Sequence, residues 1–334
     1  MKEYAGMLAM AALPIYTGSR SSVISPSEPS KPAKKLPILV SELSSQDAMA
    51  IPFMAGGSLL GVFLFLTYIS QKWLNLILNG YLALTGMGAL MYTFTDLQSW
   101  LQMPRGRPLL RHALHTRHLD PLTIASFSTS LLLTAINLSS KHTVVSNVIA
   151  LSFAHTAISI VKIDSFQTAS ILLMGLFVYD ITFVFGSTVM MTVVDGIDAP
   201  IMLRIPGEAA MMMLGLGDVF VPGVVLALAR RYDASSLRNR YPLFYTCFFA
   251  YLSSLIAAMS ASAIFHRPQP ALLYISPGIL LLILVYGFIK SETKLIWSFQ
   301  SKRGHKTDED TTLNSKRGHK PGGNSSDASE ESSS

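Results

Sequence analysis

The chain has 334 residues, half of them hydrophobic and only 14% charged, with a mean hydropathy of +0.41. Soluble domains carry about a quarter charged residues, so this composition excludes a pair of ordinary soluble domains and points to a polytopic membrane protein in a lipid bilayer. The formal net charge of +6 does not call for nucleic acid, because basic residues in a membrane chain chiefly set orientation.

A bilayer core about 30 Å thick takes roughly 20 mostly apolar residues per helix. Nine stretches qualify, at about 4–18, 49–69, 74–94, 121–138, 143–161, 165–187, 209–229, 243–265 and 270–289. The first is short, and its charged start before an apolar run also fits a cleavable secretory leader. Pro14 and the lack of a small-x-small cleavage site favour a retained helix. The loop 19–48 holds four prolines between 24 and 48 and is expected to be flexible. Residues 1–164 thus form five helices with that loop, 165–290 four more, and 291–334 a tail. The tail is Ser-rich and repeats SKRGHK at 301–306 and 315–320, a composition that builds no core and is expected to be disordered. The basic repeats suit contact with anionic lipid, but a solvated tail explains them more simply.

With nine spans, alternate loops lie on opposite sides. One side carries Arg20, Lys31, Lys34, Lys35, Arg105, Arg107, Arg111, Arg117, Lys162, Arg230, Arg231, Arg238, Arg240 and the basic tail. The other has only Lys2, Lys72, Lys141, Arg204 and Arg267. The positive-inside rule then puts the C-terminus in the cytosol and the N-terminus in the lumen or outside.

Acids inside spans cost roughly 2.5–3.5 kcal/mol at the bilayer centre, so they are functional candidates by default. Two are read as well embedded: Asp180 in LLMGLFVYDITFVFG and Asp218 in MMMLGLGDVFVPG. Asp195, Asp198, Glu208 and Asp233 are assigned to loops or span edges, where water solvates them. No basic residue lies well inside a span to neutralise either aspartate. Two carboxylates side by side resist double ionisation, so the pair can hold one proton between them. The ionised member can then take a proton from water while the protonated one polarises a carbonyl, and the sequence leaves open which is which. Gly215 and Gly217 lower helix propensity by roughly 1 kcal/mol each and would open the backbone beside Asp218. Tyr179 can pack or hydrogen-bond at the site. QPALLY (269–274) opens the last span, with Pro270 at home in a helix's first turn.

Other chemistry has little support. Cys247 is a single cysteine in an apolar run, read as a small buried hydrophobe. There is no HExxH, no CxxC and no phosphate-binding glycine loop, and the eight histidines fall mostly in loops and tail. No metal and no other cofactor is expected.

YD in one span, GLGD in the next and QPAL at the start of the last resemble the GxGD-type intramembrane aspartyl proteases, the presenilin/signal peptide peptidase family. The likeness runs from YDITFVFGSTVMMTV through DAPIMLRIP to MLGLGDVFVPG and QPALLY, over roughly 165–290, and more weakly over 1–164. It implies an all-α fold of nine transmembrane helices with a lumenal N-terminus and a cytosolic C-terminus. It implies Asp180 and Asp218 as the catalytic pair, with Tyr179, Gly215, Leu216 and Gly217 shaping the site and Gln269, Pro270, Ala271 and Leu272 receiving substrate. The implied reaction is hydrolysis of peptide bonds inside transmembrane segments, such as remnant signal peptides and type II membrane proteins. The implied location is the endoplasmic reticulum membrane, although the chain ends SEESSS rather than in a dilysine-type signal. Only about 21 residues (188–208) separate the two aspartate-bearing spans, so presenilin-type partner subunits are not expected; a homo-oligomer is compatible with the sequence. Asn137 lies in an N-x-S sequon too close to a span for a glycan to be expected, and Asn324 matches the pattern in the cytosolic tail. Two other readings stay open: a proton-coupled transporter or channel built on buried acids, and a non-catalytic binder of signal peptides.

Overall fold

The computed structural model describes residues 2–24, 42–68, 71–102, 121–140, 142–186, 202–206, 212–235, 242–265 and 269–301. Long helices in these segments are α1 (Lys2–Ile24), α2 (Ser45–Tyr68), α3 (Gln71–Gln102), α4 (Pro121–Ser140) and α5 (Thr143–Ile160). They continue with α6 (Phe166–Gly186), α7 (Gly217–Ser235), α8 (Pro242–Phe265) and α9 (Leu272–Ile289), and a short α10 (Thr293–Ser298) follows. Eight of the nine apolar stretches expected from the sequence each fall, to within a few residues, on one long helix; 209–229 does not. Among the described residues six helices (α2, α3, α5, α6, α8 and α9) are long and apolar enough to cross a membrane.

Two of the other three, α4 and α7, have visible reasons for lower hydropathy. In α4 the hydroxyls of Ser128, Thr129, Ser130 and Thr134 donate to carbonyls four residues back, at 2.6–2.8 Å, and so need no outside partner. In α7 every residue from Val221 to Arg230 is buried, so protein rather than lipid faces its polar end. Helix α7 packs on α1, α5 and α8. A Cβ at Gly223 would lie 2.4 Å from Ile158 and 3.3 Å from Ile15, so this three-helix junction closes only around glycine. Helix α2 lies on α6 by the same device: a Cβ at Gly175 would meet the Pro52 ring at 2.6 Å.

Several expectations are corrected. The fold is mostly helical but adds two short sheets: β1 (Glu42–Leu43) pairs in parallel with β2 (Lys162–Ile163), and β3 (Met202–Ile205) pairs antiparallel with β4 (Met212–Gly215). The stretch 209–229 is therefore not one helix, because 212–215 is strand and the helix starts at Gly217. Residues 19–24 and 42–48 of the expected loop belong to α1, β1 and α2. The tail expected from 291 on is ordered at its start, where α10 lies, and only 302–334 of it, with the rest of that loop and Asp195, Asp198 and Glu208, lie outside the described residues.

Asp233 is not solvated but fully buried, accepting the backbone N–H groups of Leu243 (3.4 Å) and Phe244 (2.8 Å) at the start of α8. One turn earlier, Arg230 donates to Tyr16 C=O and Ser19 Oγ, both at 3.2 Å, beneath the rings of Tyr16 and Phe244. Together they tie α7 to α1 and α8. Asp96, just beyond the expected span 74–94, lies inside α3, where Ser21 donates to it and His155 Nε2 sits 3.3 Å away. The other ring nitrogen of His155 is 2.9 Å from Thr17 Oγ1, so a polar joint links α1, α3 and α5. Cys247 is buried and free, as its apolar surroundings imply.

Candidate active site

The two embedded aspartates reach their positions by different local routes. Asp180 projects from α6 and is 7% exposed. The backbone N–H of Leu272 lies within electrostatic reach of its carboxyl. That donor is free because the first N–H groups of a helix have no intrahelical acceptor, and Leu272 is the first residue of α9. The turn before it is held by Leu273 N–H to Pro270 C=O (3.3 Å) and Tyr274 N–H to Ala271 C=O (3.1 Å). Pro270, Ala271 and Leu272 are buried and Gln269 is half-buried. YD and QPAL, 90 residues apart in sequence, are thus brought together at Asp180. The Oδ2 atom of Asp180 is buried with no hydrogen-bond partner among the described residues.

Asp218 lies in the first turn of α7. Strand β4 ends at Gly215, Leu216 makes the turn, and the Leu216 carbonyl accepts from Val219 (3.2 Å) and Phe220 (2.8 Å) to start the helix. Asp218 is half-buried and within electrostatic reach of Asp180. A Cβ at Gly215 would sit 3.4 Å from Asp218 Oδ2, so the bare backbone runs alongside the carboxylate. A Cβ at Gly217 would meet nothing within 4 Å. Neither glycine is in the left-handed region, so their contribution is the missing side chain rather than a special backbone angle. Tyr179, half-buried, packs its ring 4.7 Å from that of Phe183, and both rings lie against Gly56 of α2.

Two features escaped the sequence reading. Tyr251 of α8 is fully buried, its hydroxyl has no partner among the described residues, and it lies within electrostatic reach of Asp218. A tyrosine in the middle of FFAYLSSL was the available signal. The second is the β3–β4 hairpin that leads into GLGD. Asn147 of α5 donates to Arg204 C=O at 2.7 Å and accepts from Arg204 N–H at 3.0 Å. Arg204 therefore turns both backbone groups away from β4, which makes Arg204 and Met213 a non-hydrogen-bonded pair of the ladder. Antiparallel alternation then directs the backbone groups of Met213 and Gly215 away from β3, to the edge of β4 nearest Asp218 in sequence.

Among the described residues no group of three or more His, Cys, Asp or Glu could hold a metal ion. The chemistry on offer is that of two carboxyls in contact electrically, with an unpartnered oxygen and a strand edge beside them.

Comparison with known proteins gives a consistent result. A family model described as signal peptide peptidase matches residues 37–303. The chain is 32% identical over 317 residues to signal peptide peptidase of Homo sapiens, covering 89% of this chain and 83% of the human protein. It is 33% identical over 272 residues to a probable intramembrane protease of Schizosaccharomyces pombe, covering 78% of this chain and 85% of that one. With signal peptide peptidase-like 1 of Arabidopsis thaliana it shares 26% identity over 312 residues, 76% of this chain and 82% of the plant protein.

Proposed function

Because the chain belongs to the signal peptide peptidase family, a family of intramembrane proteases, we propose that it is an aspartic endopeptidase acting inside the bilayer, with Asp180 and Asp218 as its catalytic pair. The observation that carries this reading is the electrostatic coupling of Asp218 to Asp180, with neither carboxyl in an ion pair among the described residues.

The pair holds one proton between two carboxyls, the arrangement of aspartic proteases. The ionised carboxylate takes a proton from a water, whose oxygen bonds to the scissile carbonyl carbon. The protonated carboxyl hydrogen-bonds the carbonyl oxygen as negative charge builds there. Collapse of the tetrahedral intermediate breaks the C–N bond, and the proton taken from water passes to the leaving nitrogen. The pair returns to its single shared proton, so one water is consumed and nothing else. Pro270, Ala271 and Leu272 orient Asp180 through the Leu272 N–H.

A helical substrate hides its carbonyls in backbone hydrogen bonds and must unwind before attack. The outward groups of Met213 and Gly215 offer an extended peptide a strand edge that leads to Asp218. Nine spans, a lumenal N-terminus, a cytosolic C-terminus and residence in the endoplasmic reticulum complete the reading, with remnant signal peptides and type II membrane helices as substrates. The basic-residue asymmetry supports that orientation.

A photoreactive peptide carrying a hydroxyethylene group in place of the scissile amide mimics the tetrahedral intermediate. The purified protein should be labelled by it, and excess unlabelled analogue should block the labelling. A transporter or a simple peptide binder should ignore the hydroxyl and take the matching non-hydroxylated peptide equally well, which would refute the proposal.

A further inference from the structure

We infer that Asn147 is a positioning residue for this reaction: from α5 it fixes the β3–β4 hairpin, and through it the turn that delivers Asp218 and the open edge of β4. The inference rests on the proteolytic reading above. Asn147 sits one turn into α5, in the apolar run TVVSNVIALSF, where an amide is costly unless both of its ends are engaged. Both are, and on the two backbone groups of a single residue, Arg204, so the side chain plays the part of a neighbouring strand. The post it stands on is firm, since Ile149, Ala150, Ala154 and Ile158 of the same helix are buried in the core. The hairpin needs such a post. A lone pair of four-residue strands is marginal by itself. Its other ties are apolar, with Leu203 and Leu214 in the core and Ile205 against Gly6 of α1, and such a buried face excludes a one-residue slip of register but not a two-residue one.

Two consequences follow for the reaction. A hairpin that loses register or rotates carries Gly215 with it, and Gly215 runs alongside the Asp218 carboxylate. Engaging the outward groups of Arg204 also closes β3 to strand addition at that point, so an incoming peptide is left with the β4 edge. Asn147 thereby bears on which bond of the substrate is presented as well as on rate. Aspartate at 147 keeps the acceptor for Arg204 N–H but loses the donor to Arg204 C=O. Glutamine keeps both groups one methylene out of place, and alanine keeps neither.

The test uses the full chain in detergent micelles and a synthetic membrane-spanning helix as probe, with every product mass assigned. Asn147→Ala should lower kcat on the order of tenfold, the scale of one to two lost hydrogen bonds, and spread cleavage over neighbouring bonds. Asn147→Asp should fall between Ala and wild type. Amide hydrogen exchange over 202–206 should quicken in Asn147→Ala while exchange in α7 and α8 stays as in wild type. Wild-type kcat with an unchanged product pattern would overturn the inference. So would a loss of activity that tracks the loss of folded protein and leaves the product pattern intact. If the unsubstituted protein fails to cleave while folded, the proteolytic reading is what has failed. Exchange over 202–206, which needs no turnover, would then still decide whether Asn147 anchors the hairpin, and unaltered exchange would overturn that.

Discussion

Asp233→Ala separates what the structure shows from what composition alone suggests. A carboxylate four residues from the end of an amphipathic stretch reads as solvated, and its removal should then cost next to nothing. In the structure it is fully buried and receives two backbone N–H groups at the start of α8, one at 2.8 Å and one at the 3.4 Å limit. Stripping the acceptor from a buried donor costs about 1–3 kcal/mol. Counting the short bond at about 2 kcal/mol and the long one at about 1 gives a loss of about 3 kcal/mol, roughly a hundredfold in the unfolding equilibrium. Asp233→Asn keeps one carbonyl oxygen, enough for the short bond, and should recover about half of that loss. Unfolding by sodium dodecyl sulfate in mixed micelles, followed by tryptophan fluorescence, gives the two differences on one scale. An alanine variant within about 0.5 kcal/mol of wild type, the range of ordinary surface substitutions, would refute the capping role.

Two further substitutions probe packing and the site. Gly175→Ala gains about 1 kcal/mol of helix propensity but drives a methyl into the Pro52 ring, an overpacking cost of about 1–3 kcal/mol. A net destabilisation near 1 kcal/mol is expected in the same unfolding assay. It should shrink when Pro52 is also replaced by Ala, and an additive pair would rule out the contact. Gly217→Ala meets nothing within 4 Å, so stability should stay within about 0.5 kcal/mol of wild type. If the open space beside Gly217 belongs to substrate, kcat/KM should nonetheless fall on the order of tenfold, a methyl's worth of misfit or more. Unaltered kcat/KM would place the substrate elsewhere.

The helices were readable because each carries close to a bilayer's worth of apolar residues, and that signal does not depend on neighbours. Their ends were less readable. MMMLGLGD is apolar without periodicity, which suits a buried helix and a short buried strand equally, and only the paired glycines hinted at a break before Asp218. Asp233 reads as solvated because it falls beyond an apolar window, and Asp96, just past the span 74–94, draws no reading at all. Each is held by partners on another helix, the α8 backbone ten and eleven residues on for one and His155 for the other. His155 and Asn147 were overlooked for the same reason, since a single polar residue in a span acquires meaning only when the opposing group is known. The short motifs around Asp180 and Asp218 were legible because an embedded acid is expensive and needs a reason to be there. What they could not disclose is the approach of the Leu272 N–H to Asp180, or the hairpin that leads into Asp218.

The central claim is that Asp180 and Asp218 act together on a peptide bond. The most direct measurement is cleavage of a synthetic type II membrane helix by the purified protein, with the products weighed, beside Asp180→Asn and Asp218→Asn. Each replacement nearly preserves shape while removing one acid. The account predicts two product fragments from wild type and none from either variant, with both variants as stable to unfolding as the parent or more so, since a buried charge is gone. Undiminished cleavage by either folded variant would contradict it.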